Sequence, residues 1–350
     1  MLQIKWVIGI ENMNDVHPSV KSELVSTNEP VPAFDRNPDM NPRLREMMKE
    51  AIDGWLQKTP SIHTRTSYRS DLEQFYCFAQ IDIEAPEQLV RVRPNRVAAW
   101  RDALQDRGRS NATIRRKMTT LRALFSYLQI YGYVGANPAH GKFVKAPPVS
   151  RDGKTVGLSE AACRILLDAP TEDTPVGIRD RAILAALAYS ACRVGELTTL
   201  KVGDYRTNGE HRVLQIYGKG GKERLVPLHL EAVERINAWL TVSSITEDRQ
   251  GALFRPVATA RGNGYDGFRR SHLTTRAIGN LVKKYAKRCR LDAAVTVHSL
   301  RVTALTTARE RGADIIDLQD FAGHSDPRTT LTYIRSRDRL SKSPAYVLSY

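Results

Sequence analysis

Five short polar fragments in the C-terminal part of the chain hold residues able to do chemistry. Arg193 and Glu196 lie in Ala191-Cys192-Arg193-Val194-Gly195-Glu196-Leu197, and Lys219 and Lys222 in the turn Gly218-Lys219-Gly220-Gly221-Lys222. His298 and Arg301 stand in His298-Ser299-Leu300-Arg301, His324 follows Gly323, and Tyr333 comes nine residues later. Taken singly, each has a plain structural reading. Arg193 and Glu196 could form an i,i+3 ion pair on a helix surface. His298 and Arg301 could be an exposed helical pair, His324 a turn cap, and Tyr333 a half-buried core tyrosine. The glycine-rich turn is either a soluble hairpin tip or a mobile turn that brings an ammonium to a phosphate. It is not a phosphate-binding P-loop, because the spacing G-x-x-x-x-G-K-[ST] is missing and the turn joins two strands rather than a strand and a helix.

The charge balance says what these groups would meet. The 350 residues carry 53 Lys and Arg against 38 Asp and Glu, a net charge of +15. Residues 1–40 are net −3, residues 41–150 net +8 and residues 151–350 net +10. A polyanion is therefore the first partner to consider, and a basic N-terminal arm is not how it would be held. The length suits two domains, and the composition excludes a collagen-like, disordered or disulfide-stapled chain. Cys77, Cys163, Cys192 and Cys289 form no C-x-x-C pair, so buried, reduced thiols are expected. Met1 to Ile10 is apolar but too short for a signal peptide, and no apolar run reaches membrane-spanning length. The expected compartment is the cytoplasm.

Several elements must position the fragments. Residues 1–41 read as a flexible, acidic, proline-rich leader. Helices are expected over 42–58, from 61–64 onward, over 94–105 with Pro94 in the first turn, and from a Ser110 cap to about 131. These make a helical domain over 42–140. The last of them carries Arg115, Arg116, Lys117 and Arg122. Such a run is more often a solvated face, but in a basic bundle it gains weight as a phosphate contact. A basic linker is expected over 141–156 and a capped helix from Leu158-Ser159. The apolar helix over 179–189 precedes Arg193, and 213–217 with 224–228 read as a hairpin around the glycine turn. The remainder reads mostly helical, with a looser segment over 247–272.

In this order the fragments resemble the tyrosine recombinase (phage integrase) family, whose pattern is Arg, Lys in a hairpin, His-x-x-Arg, Gly-His, then Tyr. The sequence supplies Arg193, Lys219, His298, Arg301, His324 and Tyr333 in that order, and the likeness spans about residues 42–340. The stretch from Leu318 to Tyr333, with Ala322-Gly323-His324-Ser325 and Thr329-Thr330, is its most specific part. The resemblance implies a mainly α protein with a small β-hairpin sheet. An N-terminal four-helix, SAM-like core-binding domain would precede a catalytic domain over 157–340, and a tail over 341–350 would follow.

The implied reaction cleaves and rejoins duplex DNA through a 3′-phosphotyrosyl bond, without metal, cofactor or ATP. Tyr333 would be the nucleophile. Arg193 and Arg301, permanently charged and able to donate two hydrogen bonds, would steady the charge on the phosphorane oxygens. His298, one helical turn from Arg301, would exchange protons near the nucleophile. His324 would donate to a phosphate oxygen, and Lys219 would protonate the leaving 5′ oxygen. Glu196 would orient Arg193. Arg115, Arg116, Lys117, Arg122 and Lys222 would hold the duplex, and four protomers would assemble on it. The implied setting is integration or excision of a mobile element. A topoisomerase of the IB type uses similar chemistry, and a non-catalytic DNA-binding regulator is an alternative of another class.

Overall fold

Short polar residues start most of the helices in the computed structural model, which describes residues 42–149, 155, 157–218, 221–259 and 265–333. The leader, Lys219, residues 261–264 and the tail after Tyr333 lie outside the described residues. The chain divides into two compact units, with the boundary between residues 149 and 150.

In the first unit, α1 (Pro42–Gln57), α2 (Ile62–Ala79), α3 (Pro94–Asp106) and α4 (Asn111–Ile130) form a bundle. Ser61 Oγ accepts from the Thr64 amide and Ser110 Oγ from the Thr113 amide, each satisfying an amide the helix cannot. Pro94 opens α3 at a position that needs no N–H. The apolar stripes meet in one core around Trp55, Phe75, Trp100, Leu121 and Phe125. Phe75 and Trp100 pack edge to face, with ring centroids 5.2 Å apart. The expected linker starts too early. Val144 is buried in this core, its carbonyl accepts from Arg122 Nη2, and Asn111 Nδ2 donates to the Pro148 carbonyl. Residues 141–148 therefore belong to the first unit.

The second unit is built on α6 (Pro175–Ser190), which follows α5 (Glu160–Asp168). Ala182 to Leu187 are all buried, so α6 is apolar all round and must be surrounded. After α7 (Val194–Thr199) come the strands β1 (Tyr205–Asn208), β2 (His211–Tyr217) and β3 (Glu223–Pro227), an antiparallel sheet with Leu214 opposite both Tyr205 and Val226. The expected hairpin is β2–β3; β1 is an addition. Helix α8 (Leu230–Ser243) buries Trp239, whose Nε1 donates to the Leu253 carbonyl at 2.7 Å. The segment expected to be loose holds a second hairpin, β4 (Val257–Thr259) with β5 (Tyr265–Phe268). Helices α9 (Thr275–Arg288), α10 (Val297–Glu310), α11 (Ile315–Ala322) and α12 (Pro327–Tyr333) complete the unit. Of the four thiols only Cys192 is buried, and Cys77 is exposed. The expectation of buried cysteines fails for Cys77 because it lies on the outer face of α2.

Candidate active site

Helix α11 ends where the site begins. Gly323 follows it with φ 62°, in the left-handed region, so the chain leaves the helix axis and the last carbonyls have no helical partner. Three consecutive carbonyls face guanidinium groups. Phe321 accepts from Arg224 Nε at 3.1 Å, Ala322 from Arg301 Nη2 at 2.7 Å, and Gly323 from Arg193 Nη2 at 3.4 Å. The negative end of the helix dipole thus gathers three permanent cations. Each arrives on a different element: Arg193 at the start of α7, Arg224 on β3 and Arg301 on α10.

The turn before α7 makes this possible. Ala191 caps α6 with φ 49°, and its carbonyl accepts from Arg301 Nη1. Two residues later Arg193 opens α7, and Glu196 turns back on it. Glu196 Oε2 accepts from the Arg193 amide at 2.9 Å and from Arg224 Nη2 at 2.8 Å, while Oε1 accepts from Arg193 Nη1 at 2.8 Å. Burial alone would raise the Glu196 pKa. The hydrogen bonds from Arg224 and Arg193 outweigh burial and hold the carboxyl below the usual carboxylate value.

The two histidines differ. His324 is buried; its Nε2 lies 2.7 Å from Arg301 Nη2 and its Nδ1 2.9 Å from Thr330 Oγ1. Burial, then the charges of Arg301, Arg193 and Arg224, push its pKa down to about 4. His298 is exposed, in the first turn of α10. Partial desolvation, then Arg301 and Arg193, lower its pKa from the ordinary imidazole value. Both rings are therefore neutral at pH 7. Beneath them Cys192 is buried, its thiol pushed up to about 11 chiefly by that burial, and acts as a packing residue.

The structure thus brings together Arg193, Glu196, His298, Arg301 and His324. Tyr333 is placed by its backbone as the last residue of α12. Lys222 is exposed, and its carbonyl accepts from the Gly218 amide at 2.6 Å across the turn. Arg301 departs from the expected picture. It is 1% exposed, with Nη1 and Nη2 turned to protein acceptors; of the five described residues brought together here, Arg193 and His298 are open to solvent.

The expected basic face of α4 needs correction. Lys117 is 5% exposed, with its ammonium on Asp71 and Gln74. Arg116 makes a bidentate pair with the same buried Asp71. Arg122 donates to the Ala139 and Val144 carbonyls. Lys117 and Arg122 are thus committed to the bundle, Arg116 is partly committed, and Arg115 is exposed. The helical period shows which residues share a face, but not that another helix brings an acid to it.

Sequence reasoning missed Arg224, Thr330 as a partner of His324, and one cationic helix. Arg276, Lys283, Lys284, Lys287 and Arg288 of α9 are exposed; the helix has no acidic residue, and none of these cations pairs with a carboxylate among the described residues. The missing acids over 275–288 were the signal.

Arginines and imidazoles gathered at one helix end, in a basic protein with a separate helical bundle, define a class built to work on phosphates. The chain belongs to the phage integrase family, the tyrosine recombinases, which cleave and rejoin DNA strands. The Phage integrase family model matches residues 158–339, and the Phage integrase, N-terminal SAM-like domain model matches residues 54–130. The chain is 31% identical over 278 residues to Tyrosine recombinase XerC of Thermodesulfovibrio yellowstonii, covering 79% of this chain and 87% of the relative. It is 33% identical to Tyrosine recombinase XerD of Ralstonia nicotianae, with 82% and 88% covered. Among solved structures, a lambda integrase dimer bound to a COC′ core site shares the fold, with a TM-score of 0.63 at 18% identity over 83% of this chain and 96% of that one. No described helix is long and apolar enough to cross a membrane.

Proposed function

We infer that this chain is a cytoplasmic site-specific recombinase that cuts and rejoins duplex DNA through a 3′-phosphotyrosyl intermediate, in the integration or excision of a mobile element. The convergence of Arg193, Arg224 and Arg301 on the end of α11, beside His298 and His324, carries this reading. The names of its XerC and XerD relatives support it, as does the core-site DNA in the lambda integrase complex.

Tyr333 Oη attacks the scissile phosphorus and its proton passes toward His298, which is neutral and so able to accept it. Charge gathers on the non-bridging oxygens, opposite the exposed face of Arg193. Arg301 completes the clamp when it turns from its carbonyl partners. The 5′ oxygen leaves with a proton from Lys219. Because the phosphotyrosyl bond keeps the energy of the phosphodiester, a 5′ hydroxyl of another strand reverses the step without ATP, metal or cofactor. Two duplexes present four scissile phosphates, so a homotetramer is the working assembly. The exposed cations of α9, with Arg115 and Lys222, hold the duplex.

Covalent capture tests the reading. Incubated with a nicked suicide site, the protein should form a protein–DNA adduct that resists SDS, and EDTA should leave it intact. No adduct on the proper site would sink the catalytic reading. An adduct undiminished in Tyr333→Phe would sink the nucleophile. Relaxation of supercoiled DNA lacking any specific site would favour a topoisomerase instead.

A further inference from the structure

Arg224 is nearly enclosed, with a side chain 13% exposed. Its Nε donates to the Phe321 carbonyl and its Nη2 to Glu196 Oε2. One planar group thus joins β3, α7 and the end of α11. We propose that Arg224 is a positioning residue for DNA cleavage: it ties Glu196 to α11 and so fixes the guanidinium of Arg193. This rests on the recombinase reading.

Three observations support the role. First, Glu196 is 7% exposed, and a buried carboxylate keeps its charge only with close donors. Its other cation, Arg193, has a side chain 45% exposed, where water competes for the same hydrogen bonds. Arg224 is the screened partner and the stronger support. Second, room is kept for it. A Cβ on Gly323 would lie 2.7 Å from Arg224 Nη1 and 3.0 Å from its Cζ, so a side chain there displaces the guanidinium. The glycine before His324 thus serves both the left-handed turn and Arg224. Third, Arg224 stands five residues after Lys219 on the same hairpin. Its grip on Phe321 links the hairpin to the segment that carries His324.

Among the described residues, the other ionisable groups that feel Glu196 are Cys192 and His324, both neutral at pH 7, and Arg301 lies close to both of these. None can replace Arg224, because Arg301 is turned to the Ala191 and Ala322 carbonyls. Without Arg224, Glu196 stays buried with one water-exposed cation and takes up a proton at higher pH. A protonated Glu196 no longer accepts at both oxygens, and Arg193 swings free.

The test uses the full chain. Glu196 is titrated by carboxyl carbon NMR without DNA, with Glu196→Gln for assignment. In Arg224→Met its midpoint should rise by about one pH unit or more, a tenfold change in proton affinity. Arg224→Lys keeps the charge but cannot bridge two acceptors, so its midpoint should lie between. Relative to wild type, suicide-site cleavage in Arg224→Met should fall severalfold near pH 5, with most of the loss recovered at about pH 7. A purely structural role would lower the rate equally at all pH values and leave the midpoint in place. An unmoved midpoint in a folded Arg224→Met variant would overturn the proposal. If that variant does not fold, Arg224→Lys decides: wild-type midpoint and pH profile overturn the bridge, and a raised midpoint supports it. Wild-type protein that cleaves at no pH would sink the recombinase reading, while the NMR midpoint still judges Arg224.

Discussion

Arg301 Nη2 lies 2.7 Å from His324 Nε2. A guanidinium only donates, so Nε2 must be the unprotonated nitrogen of the ring. The ring proton therefore sits on Nδ1 and is given to Thr330 Oγ1, 2.9 Å away. In this state His324 cannot donate from Nε2 to a phosphate. It can do so only after Arg301 leaves it and the ring changes tautomer. The Gly-His segment thus holds the arginine in place before DNA arrives.

The tautomer is directly observable. Ring-nitrogen NMR of the DNA-free protein should show His324 protonated at Nδ1 and accepting at Nε2. Thr330→Val removes the acceptor and loosens the ring. Cleavage should slow about tenfold, the worth of one net hydrogen bond of roughly 1 kcal/mol or slightly more. An Nε2-protonated His324 in the wild type would contradict the assignment.

His324 should also leave a mark on stability. Its folded pKa of about 4 lies below the ordinary imidazole value, so below pH 6.5 the unfolded chain binds the extra proton first. Stability is thus lost as pH falls from 6.5 toward 4, by on the order of 3 kcal/mol for this group alone. Urea unfolding at pH 7 and pH 5 should show the loss. His324→Gln cannot titrate and should flatten this part of the curve. An equally steep curve in that variant would assign the effect to other groups.

Arg193 and Arg301, the two arginines proposed to act on the phosphate, should separate by stability. Arg301 is buried, and Arg301→Met leaves the Ala191 and Ala322 carbonyls and His324 Nε2 without their donor. A loss of about 2–4 kcal/mol is expected. Arg193 has an exposed side chain, and Glu196 keeps Arg224 when it is removed. Arg193→Met should therefore cost below about 1 kcal/mol. Both should lower the rate of adduct formation by about 100-fold or more. Thermal melts beside single-turnover cleavage check the contrast; equal melting temperatures would refute it.

Local chemistry was legible in the sequence, and long-range partnership was not. Ser61, Ser110, Ser159 and Pro94 marked helix starts because caps depend on neighbours one turn away. The β2–β3 hairpin showed as two apolar runs about a glycine turn. Arg193, His298, Arg301 and His324 were found by their order. Arg224 was not, because its partner Phe321 is 97 residues away and nothing local marks it. Lys117 was misread because its acid, Asp71, comes from another helix. The β4–β5 hairpin was missed because its strands have only 3 and 4 residues, too few for an alternation to register.

The cations of the two units should answer differently to salt and to substitution. An exposed lysine on a phosphate releases counterions on binding, and removing it lowers the slope of log K against log salt by about 0.9. On α9, Arg276, Lys283 and Lys287 are exposed, with no acid on the helix to hold them. Changing these three to glutamine should weaken binding across DNA sequences, reduce the salt slope by about 2–3, and leave stability within about 0.5 kcal/mol. Lys117→Gln should do the reverse. It removes a buried partner of Asp71, and although Arg116 and Thr120 still donate to that carboxylate, about 1–3 kcal/mol of stability should go. Its salt slope should match the wild type, because a buried ammonium neutralised by Asp71 releases no counterion. Fluorescence anisotropy over a salt series, with urea melts of the same variants, measures both quantities. A wild-type slope in the α9 triple variant would move the duplex to another face of the protein.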